Sequence, residues 1–189
     1  MTNTPTPAPA PRLAHTAQLT AAELRQARTF LDTVFDGDFS DDDWDHTVGG
    51  MHALLTDAHG IAAHGSVVQR RVVHAGRSLR IGYVEGVAVR ADLRRKGLGG
   101  AVMAALEQVV ERSYAYGALS ASEEGAALYA GRGWRVWPGR LGVLGPAGEE
   151  RLVEEEGTTY VWAAHPQGGL GTLDPERPLL FDWRDGDVL

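Results

Sequence analysis

A basic, glycine-containing turn near the middle of the chain has the residue types of an anion-binding site. It follows an apolar run over residues 81–89 and reads Arg94-Arg95-Lys96-Gly97-Leu98-Gly99-Gly100. Glycines at 97 and 99 let the backbone approach a ligand closely. If a helix begins after Gly97, its free N–H groups and positive dipole end favour a phosphate. The turn therefore predicts a site for a diphosphate.

Two familiar phosphate loops do not match this turn. The nucleoside-triphosphate loop ends in Gly-Lys-Ser/Thr, whereas Lys96 precedes its glycine. The dinucleotide fingerprint Gly-x-Gly-x-x-Gly needs a third glycine at the position that Val102 occupies. A glycine-rich connection with a basic surface and no ligand remains the alternative for this segment taken alone.

The length and composition predict one domain with a substantial core. The chain has 189 residues, of which 43% are hydrophobic. Residues 1–11 are rich in Pro, Thr and Ala and are expected to be a disordered tail, with a single domain over residues 12–189. The chain has no cysteine, which excludes a disulfide framework, a cysteine nucleophile and a thiolate metal site.

The charge and hydropathy patterns indicate which classes of partner the protein is expected to bind. A formal net charge of -7 argues against a nucleic-acid partner and favours a cationic small molecule. No apolar run is long enough for a membrane span, and the N-terminus lacks a basic region followed by an apolar one. We therefore expect a cytoplasmic protein without a membrane partner.

Hydrophobic periodicity places the chemical residues on alternating strands and helices. Helices are predicted over 20–35, from Ser40, over 97–112 and over 123–131, and strands over 51–56, 61–73, 79–89, 114–120, 134–144 and 158–164. This order predicts an α+β fold with a mixed sheet.

Two motifs together resemble the GNAT superfamily of N-acetyltransferases. The turn at 94–100 is similar to its coenzyme A pyrophosphate loop, Arg/Gln-x-x-Gly-x-Gly/Ala, and residues 124–134 are similar to the helix that carries a tyrosine beside the cofactor sulfur. The resemblance implies a mixed, mostly antiparallel sheet, splayed at the cofactor strand and flanked by helices. It also implies acetyl-CoA as donor, coenzyme A as product, and cofactor contacts at Val87, Ala88, Val89, Arg94, Arg95, Lys96, Gly97, Leu98, Gly99 and Gly100.

Longer strings resemble one group within that superfamily, the aminoglycoside 2'-N-acetyltransferases. They lie at residues 37–39, 43–54, 82–92, 117–120 and 182–188, so that the likeness runs from about residue 12 to the end. The resemblance implies transfer of acetyl to the 2'-amine of aminoglycoside antibiotics by direct attack in a ternary complex, with resistance as the result. It also implies a homodimer.

Acetyl transfer to an amine needs a base and a proton donor for the leaving thiolate. By the resemblance, Glu85 is the base, acting through a water, and Tyr129 protonates the thiolate, while the Val87 N–H polarises the thioester carbonyl. Gly86 after Glu85 allows a bulge that splays the neighbouring strands. Taken alone, Glu85 could equally lie on a solvated strand face, and Tyr129 could simply pack its helix on the sheet.

A polycationic acceptor calls for carboxylates and carbonyl groups. Matching the family position by position gives an acceptor site of Asp38, Asp43, Glu85, Gly86, Ser120, Glu155, Asp187 and Leu189. Glu155 stands in a run of three glutamates where the family tends to have aspartates. Leu189 stands where the family has an aromatic terminal residue.

No metal site is expected. A calcium loop from Asp36 would need glycine at its sixth position and glutamate at its twelfth, and both are absent. The seven histidines have no metal-ligand spacing and are expected to pack or to face solvent.

Two other functions remain open from the sequence. One is a GNAT enzyme with another amine or hydroxyl acceptor, such as a cell-wall sugar. The other is a non-catalytic acyl-CoA-binding module, which the pairing of Glu85 with Tyr129 disfavours.

Overall fold

The computed structural model describes residues 10–164 and 173–189 of the chain. The α-helices in these residues are α1 (Ala21–Val34), α2 (Asp41–Thr47), α3 (Leu98–Ser113) and α4 (Glu123–Gly131). The strands are β1 (Arg12–His15), β2 (Met51–Asp57), β3 (Gly60–His74), β4 (Arg77–Val89), β5 (Tyr116–Ser120), β6 (Arg135–Val136), β7 (Leu141–Gly145), β8 (Gly148–Arg151), β9 (Thr159–Ala163) and β10 (Leu179–Asp182). None of the described helices is long and apolar enough to cross a membrane.

All ten strands join one mixed sheet in the order β6-β9-β5-β4-β3-β10-β7-β8, with β2 also on β3 and β1 on β2. The pairs β4–β5 and β7–β10 are parallel and the others are antiparallel. The long strand β3 changes partner on one side, from β2 along its first half to β10 at Val72 and Val73. The predicted α+β fold with a mixed, mostly antiparallel sheet is confirmed.

The sheet opens between β4 and β5. These strands pair in register only from Ile81 to Tyr83, and β4 then continues to Val89 against β3 alone. The register of β3 and β4 shifts between His64 and Ser66, where β4 carries one extra residue. Gly86 in this bulge has φ +55, a left-handed conformation that glycine adopts most easily. The bulge and the splay leave the outer edge of β4 open next to Glu85.

Helices cover both faces of the sheet. On one face α3 buries Val102 and Leu106 against strand residues that include Val67 and Val84. On the other face α1 buries Phe30 and other apolar side chains against β2, β3 and β4. The splayed part of β4 therefore contacts both helical layers, through Val87 and Val89 on one face and Ala88 on the other.

A buried carboxylate on α3 fixes the end of α4. Glu107 accepts hydrogen bonds from Arg132 Nε at 2.8 Å and from Trp134 Nε1 at 2.9 Å. Its residue is 9% exposed, so both bonds form away from water, where they are strongest. Because Arg132 and Trp134 follow α4 directly, this cluster sets the position of Tyr129 relative to α3.

Two differences from the sequence expectation concern short strands. The strand predicted at 134–144 is two strands at different places in the sheet, since Pro138 and Gly139 separate β6, beside β9, from β7, beside β10. The short strands β1, β8 and β10 were not predicted, because each has only four residues; β1 and β10 also gain their partners from distant segments, whereas β8 forms a hairpin with β7. Residues 1–9 of the expected tail lie outside the described residues.

Candidate active site

The start of α3 has the geometry of an anion site. Gly97, with φ +84, caps the helix without a side-chain hydrogen bond, and the first turn contains no acidic residue. The first backbone N–H groups of α3 are therefore free to meet a ligand, together with the positive end of the helix dipole. This end of α3 opens on a cleft of about 510 Å³ lined by Val89, Arg94, Arg95, Gly97, Leu98, Gly99, Gly100, Glu124 and Leu128.

A second cleft of about 440 Å³ adjoins the first and reaches Tyr129. The two share Val89, Arg94, Gly99, Glu124 and Leu128. The second is also lined by Val87, Ala88, Ser122 and Gly125. Together they form a groove from the glycine turn, along the open edge of β4, to the tyrosine. Lys96, by contrast, points its Nζ to the Asp92 carbonyl at 2.9 Å and lines neither cleft.

Tyr129 is buried and protonated. Its residue is 7% exposed, and its ring lies 6.0 Å from that of Tyr160 and 6.4 Å from that of Trp134. Burial raises the pKa of its phenol to about 12, since a phenolate would lose its hydration there. At neutral pH the side chain can therefore donate a proton to a group in the groove.

Glu85 is a half-buried carboxylate with one strong partner. Its side chain is 16% exposed, and Arg184 Nη1 donates to its Oε1 at 2.5 Å. Burial raises the pKa of this carboxyl, and the charge of Arg184 partly offsets that increase. Within residues 10–164 and 173–189, no group donates to Oε2, which leaves that oxygen for a water or an amine. A carboxyl with a raised pKa is suited to accept a proton near neutral pH.

Asp43 contributes both to the fold and to the charge around Glu85. Its Oδ2 accepts hydrogen bonds from Ser40 N at 2.7 Å and from Ser40 Oγ at 2.9 Å, which closes a capping box at the start of α2. After the larger effect of burial, its charge also raises the pKa of Glu85. Asp38 is exposed in the turn between α1 and α2, where its N–H donates to the Phe35 carbonyl at 2.9 Å.

Ser120 and Glu155 come together across 35 residues. Ser120 Oγ, at the end of β5, donates to Glu155 Oε2 at 2.7 Å. Burial raises the pKa of the Tyr83 phenol, and the charges of Glu85 and Glu155 add to the increase, so both carboxylates lie near Tyr83. Glu156 instead pairs with an arginine of β8. Glu155 therefore faces the end of β5 through Ser120, whereas Glu156 pairs toward β8.

The C-terminal segment lies beside α2. A Cβ atom added to Gly186 would come within 2.6 Å of Asp42 Cβ, and Asp187 next to it is exposed. Leu189, however, is 8% exposed and packs in a core cluster with Phe181 and Tyr83. The aliphatic side chain is thus directed into the core, where burial stabilises it. The assignment of Leu189 to the acceptor site stays a prediction, which its terminal carboxylate could fulfil.

Sequence reasoning missed a buried histidine pair behind the bulge. His64 Nδ1 donates to the Gly86 carbonyl at 2.9 Å, and its Nε2 lies 3.0 Å from His52 Nδ1. Thr16 Oγ1 lies 2.8 Å from His52 Nε2. Burial lowers the pKa of both histidines to about 4, so both are neutral at pH 7. The alternation of side chains along β2 and β3 places His52 and His64 on one face of the sheet. No neighbouring residue in the sequence, however, indicated that the two rings interact.

Comparison with known proteins decides the family. A family model described as an acetyltransferase (GNAT) domain matches residues 15–137. The chain belongs to the GNAT acetyltransferase family. This GNAT protein is 45% identical to a protein of Mycolicibacterium fortuitum named aminoglycoside 2'-N-acetyltransferase, over 177 residues that cover 94% of this chain and 90% of that protein. The family resemblance found in the sequence is confirmed.

Solved structures show the same GNAT fold. A GNAT family N-acetyltransferase of Escherichia coli in complex with CoA matches with a TM-score of 0.65 and 16% identity, over 95% of this chain and 93% of that chain. The structure of Escherichia coli ElaA matches with a TM-score of 0.56 and 16% identity, over 80% of this chain and 95% of that chain. As a GNAT acetyltransferase, this protein takes its acetyl group from acetyl-CoA, as predicted.

The buried histidine pair predicts a loss of stability in weak acid. Each histidine has a pKa near 6.5 when unfolded and about 4 when folded, so between these values only the unfolded chain is protonated. Stability is fully present above pH 6.5 and falls toward pH 4, by roughly 1.4 kcal/mol per pH unit for each histidine. Urea unfolding of His64→Asn should show a smaller loss between pH 7 and 5 than the parent.

The exposed His59 provides the control for that comparison. His59→Gln should keep the parent pH dependence, because this side chain is exposed to solvent in the folded protein as it is in the unfolded chain. Equal slopes for His64→Asn and the parent protein would show that the pair does not titrate on unfolding.

Proposed function

We propose that this GNAT acetyltransferase transfers acetyl from acetyl-CoA to the 2'-amine of aminoglycosides. The observation that carries the proposal is the 45% identity, over almost the whole chain, to a protein with that name. The carboxylates around Glu85 support it, because Asp43 and Glu155 add negative charge where a polycation would bind. The proposed acceptor groups are Asp38, Asp43, Glu85, the Gly86 carbonyl, Ser120, Glu155, Asp187 and the terminal carboxylate of Leu189.

The donor is proposed to occupy the groove that begins at the glycine turn. The N–H groups of Leu98, Gly99 and Gly100, with Arg94 and Arg95, would hold the pyrophosphate. Val87, Ala88 and Val89 lie on the open edge of β4 and would pair with the pantetheine amides as an added strand does. Lys96 is left out of the proposed contacts, since its ammonium already binds the Asp92 carbonyl.

The proposed reaction is direct attack of the acceptor amine on the thioester carbonyl carbon. A C–N bond forms and the C–S bond breaks. Glu85 takes the proton that the amine loses, through one water, and the Val87 N–H donates to the carbonyl oxygen as charge develops there. Tyr129 gives its proton to the leaving thiolate, and its raised pKa keeps that proton in place until then. The chain has no cysteine, which agrees with attack without an acetyl-cysteine intermediate.

The biological setting belongs to the same proposal. Antibiotic resistance follows if acetylation removes an ammonium charge with which the drug binds its target. The proposal includes the cytoplasmic location expected from the sequence pattern and the homodimer that the family resemblance implies. A second candidate is a different amine acceptor, because the buried Leu189 stands where the family has an aromatic terminal side chain.

Thiol release from acetyl-CoA, measured over a panel of aminoglycosides, tests the acceptor. Compounds with a 2'-amine should be acetylated, whereas 2'-hydroxyl analogues should bind through their other ammonium groups and react slowly, because a hydroxyl is a weaker nucleophile. Mass spectrometry of the product should place the acetyl group on the 2'-nitrogen. Rapid turnover of an acceptor without a 2'-amine would favour the second candidate.

The Gly99→Asp variant tests the donor site. A carboxylate at the start of α3 would repel the pyrophosphate, so the KM for acetyl-CoA should rise by about ten-fold or more, while the acceptor Kd changes little. Gly99→Ala is the matched control, since its methyl group would meet only Leu128 Cδ2 at 3.3 Å and Val89 Cγ2 at 3.5 Å. An unchanged acetyl-CoA KM in folded Gly99→Asp would remove the loop from the donor site.

Two isosteric variants test the proton transfers. Glu85→Gln should lower kcat/KM for the acceptor by about 10²-fold at neutral pH and remove the acidic limb of its pH profile. Tyr129→Phe should lower kcat through slower departure of the thiolate, with acceptor binding unchanged. Full activity of either variant across the pH range would refute the role given to that residue.

A further inference from the structure

Arg184 connects Glu85 with the C-terminal segment. Its Nη1 donates to Glu85 Oε1 at 2.5 Å, and its Nε donates to the Val188 carbonyl at 2.9 Å. The side chain is 14% exposed, and its guanidinium lies 5.3 Å from the centre of the Tyr83 ring. The guanidinium of Arg184 therefore bonds both to the proposed base, Glu85, and to the backbone beside Asp187.

A second arginine secures the same segment without touching Glu85. Arg70 donates to the Val188 carbonyl at 2.5 Å, to the Asp182 carbonyl at 2.6 Å and to Asp182 Oδ1 at 2.9 Å. Its residue is 4% exposed. Arg70 thus anchors the chain at Asp182 and Val188 independently of Glu85, so the C-terminal segment has an anchor besides Arg184.

We propose that Arg184 is a positioning residue that holds Glu85 as an oriented, ionised carboxylate and fixes it relative to the C-terminal acceptor-binding segment. The inference rests on the proposed role of Glu85 as base. Arg184 itself does not exchange protons with the amine. It occupies Oε1 and leaves Oε2 for the water through which the proton passes.

The surroundings of Glu85 explain why such a partner is needed. Burial and the charge of Asp43 on α2 both favour the neutral acid, which cannot accept a proton. Arg184 opposes them most strongly, and Arg70 on β3 does so to a smaller extent. The other groups facing this region are the Tyr83 phenol on β4, Glu155, and His46 on α2.

His46 does not replace the arginine as a cation. Burial lowers the pKa of His46 most strongly, ahead of the charge of Arg184, so the ring is neutral at pH 7, and the burial remains when Arg184 is removed. Removal of Arg184 would therefore leave Glu85 without a cation in direct contact, and its proton affinity would rise. The consequence is an enzyme whose base is protonated at neutral pH and recovers only in more alkaline solution.

The direct test is a titration of Glu85 by carboxyl ¹³C NMR in protein labelled at glutamate, without acceptor. The Glu85 signal is identified by its absence from Glu85→Gln. Arg184→Gln should raise the midpoint of this signal by ~1–3 pH units, and Arg184→Lys should reverse most of that shift because it restores the cation. A midpoint that does not move in folded Arg184→Gln would overturn the proposal.

Arg70→Lys is the matched control. It retains the positive charge but cannot form all three hydrogen bonds, so it loosens the C-terminal segment without removing the partner of Glu85. It should raise the acceptor KM and leave the Glu85 midpoint in place. An equal shift in Arg70→Lys and Arg184→Gln would mean that both act only by holding the C-terminus, which also overturns the proposal.

The pH dependence of steady-state kinetics provides a second test of the role of Arg184. In Arg184→Gln the acidic limb of kcat/KM for the acceptor should move to higher pH by the same amount as the NMR midpoint, with the acetyl-CoA KM unchanged. A fall in activity equal at every pH would contradict the proposal. Failure of all aminoglycosides as acceptors would refute the proposed substrate alone, since the NMR titration needs no acceptor.

Discussion

The site depends on one constraint, the short pairing between β4 and β5. The strands share register for three residues, Ile81–Tyr83, and the bulge at Gly86 then directs β4 away. If β4 paired with β5 along its whole length, its backbone N–H and C=O groups would form hydrogen bonds with β5. No free strand edge would then remain for a ligand. Because the strands separate, the same few residues present a free peptide edge to the groove between the glycine turn and Tyr129 and carry the carboxylate of Glu85.

Elements whose cause is local could be predicted from the sequence. The capping boxes at Thr20 and Ser40 start α1 and α2 at the expected positions. Gly97 precedes the first residue of α3, as the motif suggested. The bulge beside Glu85 likewise follows from the glycine at 86. In each case the residue that determines the conformation lies within a few positions of it, so the pattern carries the information.

Features that depend on contacts between distant segments could not be predicted. Arg184 lies 99 residues from Glu85, and neither residue has a neighbour in sequence that indicates the pair. The burial of Leu189 results from the shape of a core built by β3, β4 and β10. Family likeness placed this residue at a binding surface, but the smaller aliphatic side chain packs inward. The likeness identified the family and left the hydrogen bonds among the predicted site residues undetermined.

The histidine pair also fixes the direction of a hydrogen-bond chain through the sheet. The Gly86 carbonyl can only accept, so His64 carries its hydrogen on Nδ1 and must accept at Nε2. His52 then donates from Nδ1 and accepts at Nε2, which requires the Thr16 hydroxyl to donate to it. The tautomer of each ring is thus set by one backbone oxygen in the active site. Through these two neutral imidazoles, the Gly86 carbonyl in the bulge determines that the Thr16 hydroxyl acts as a hydrogen-bond donor.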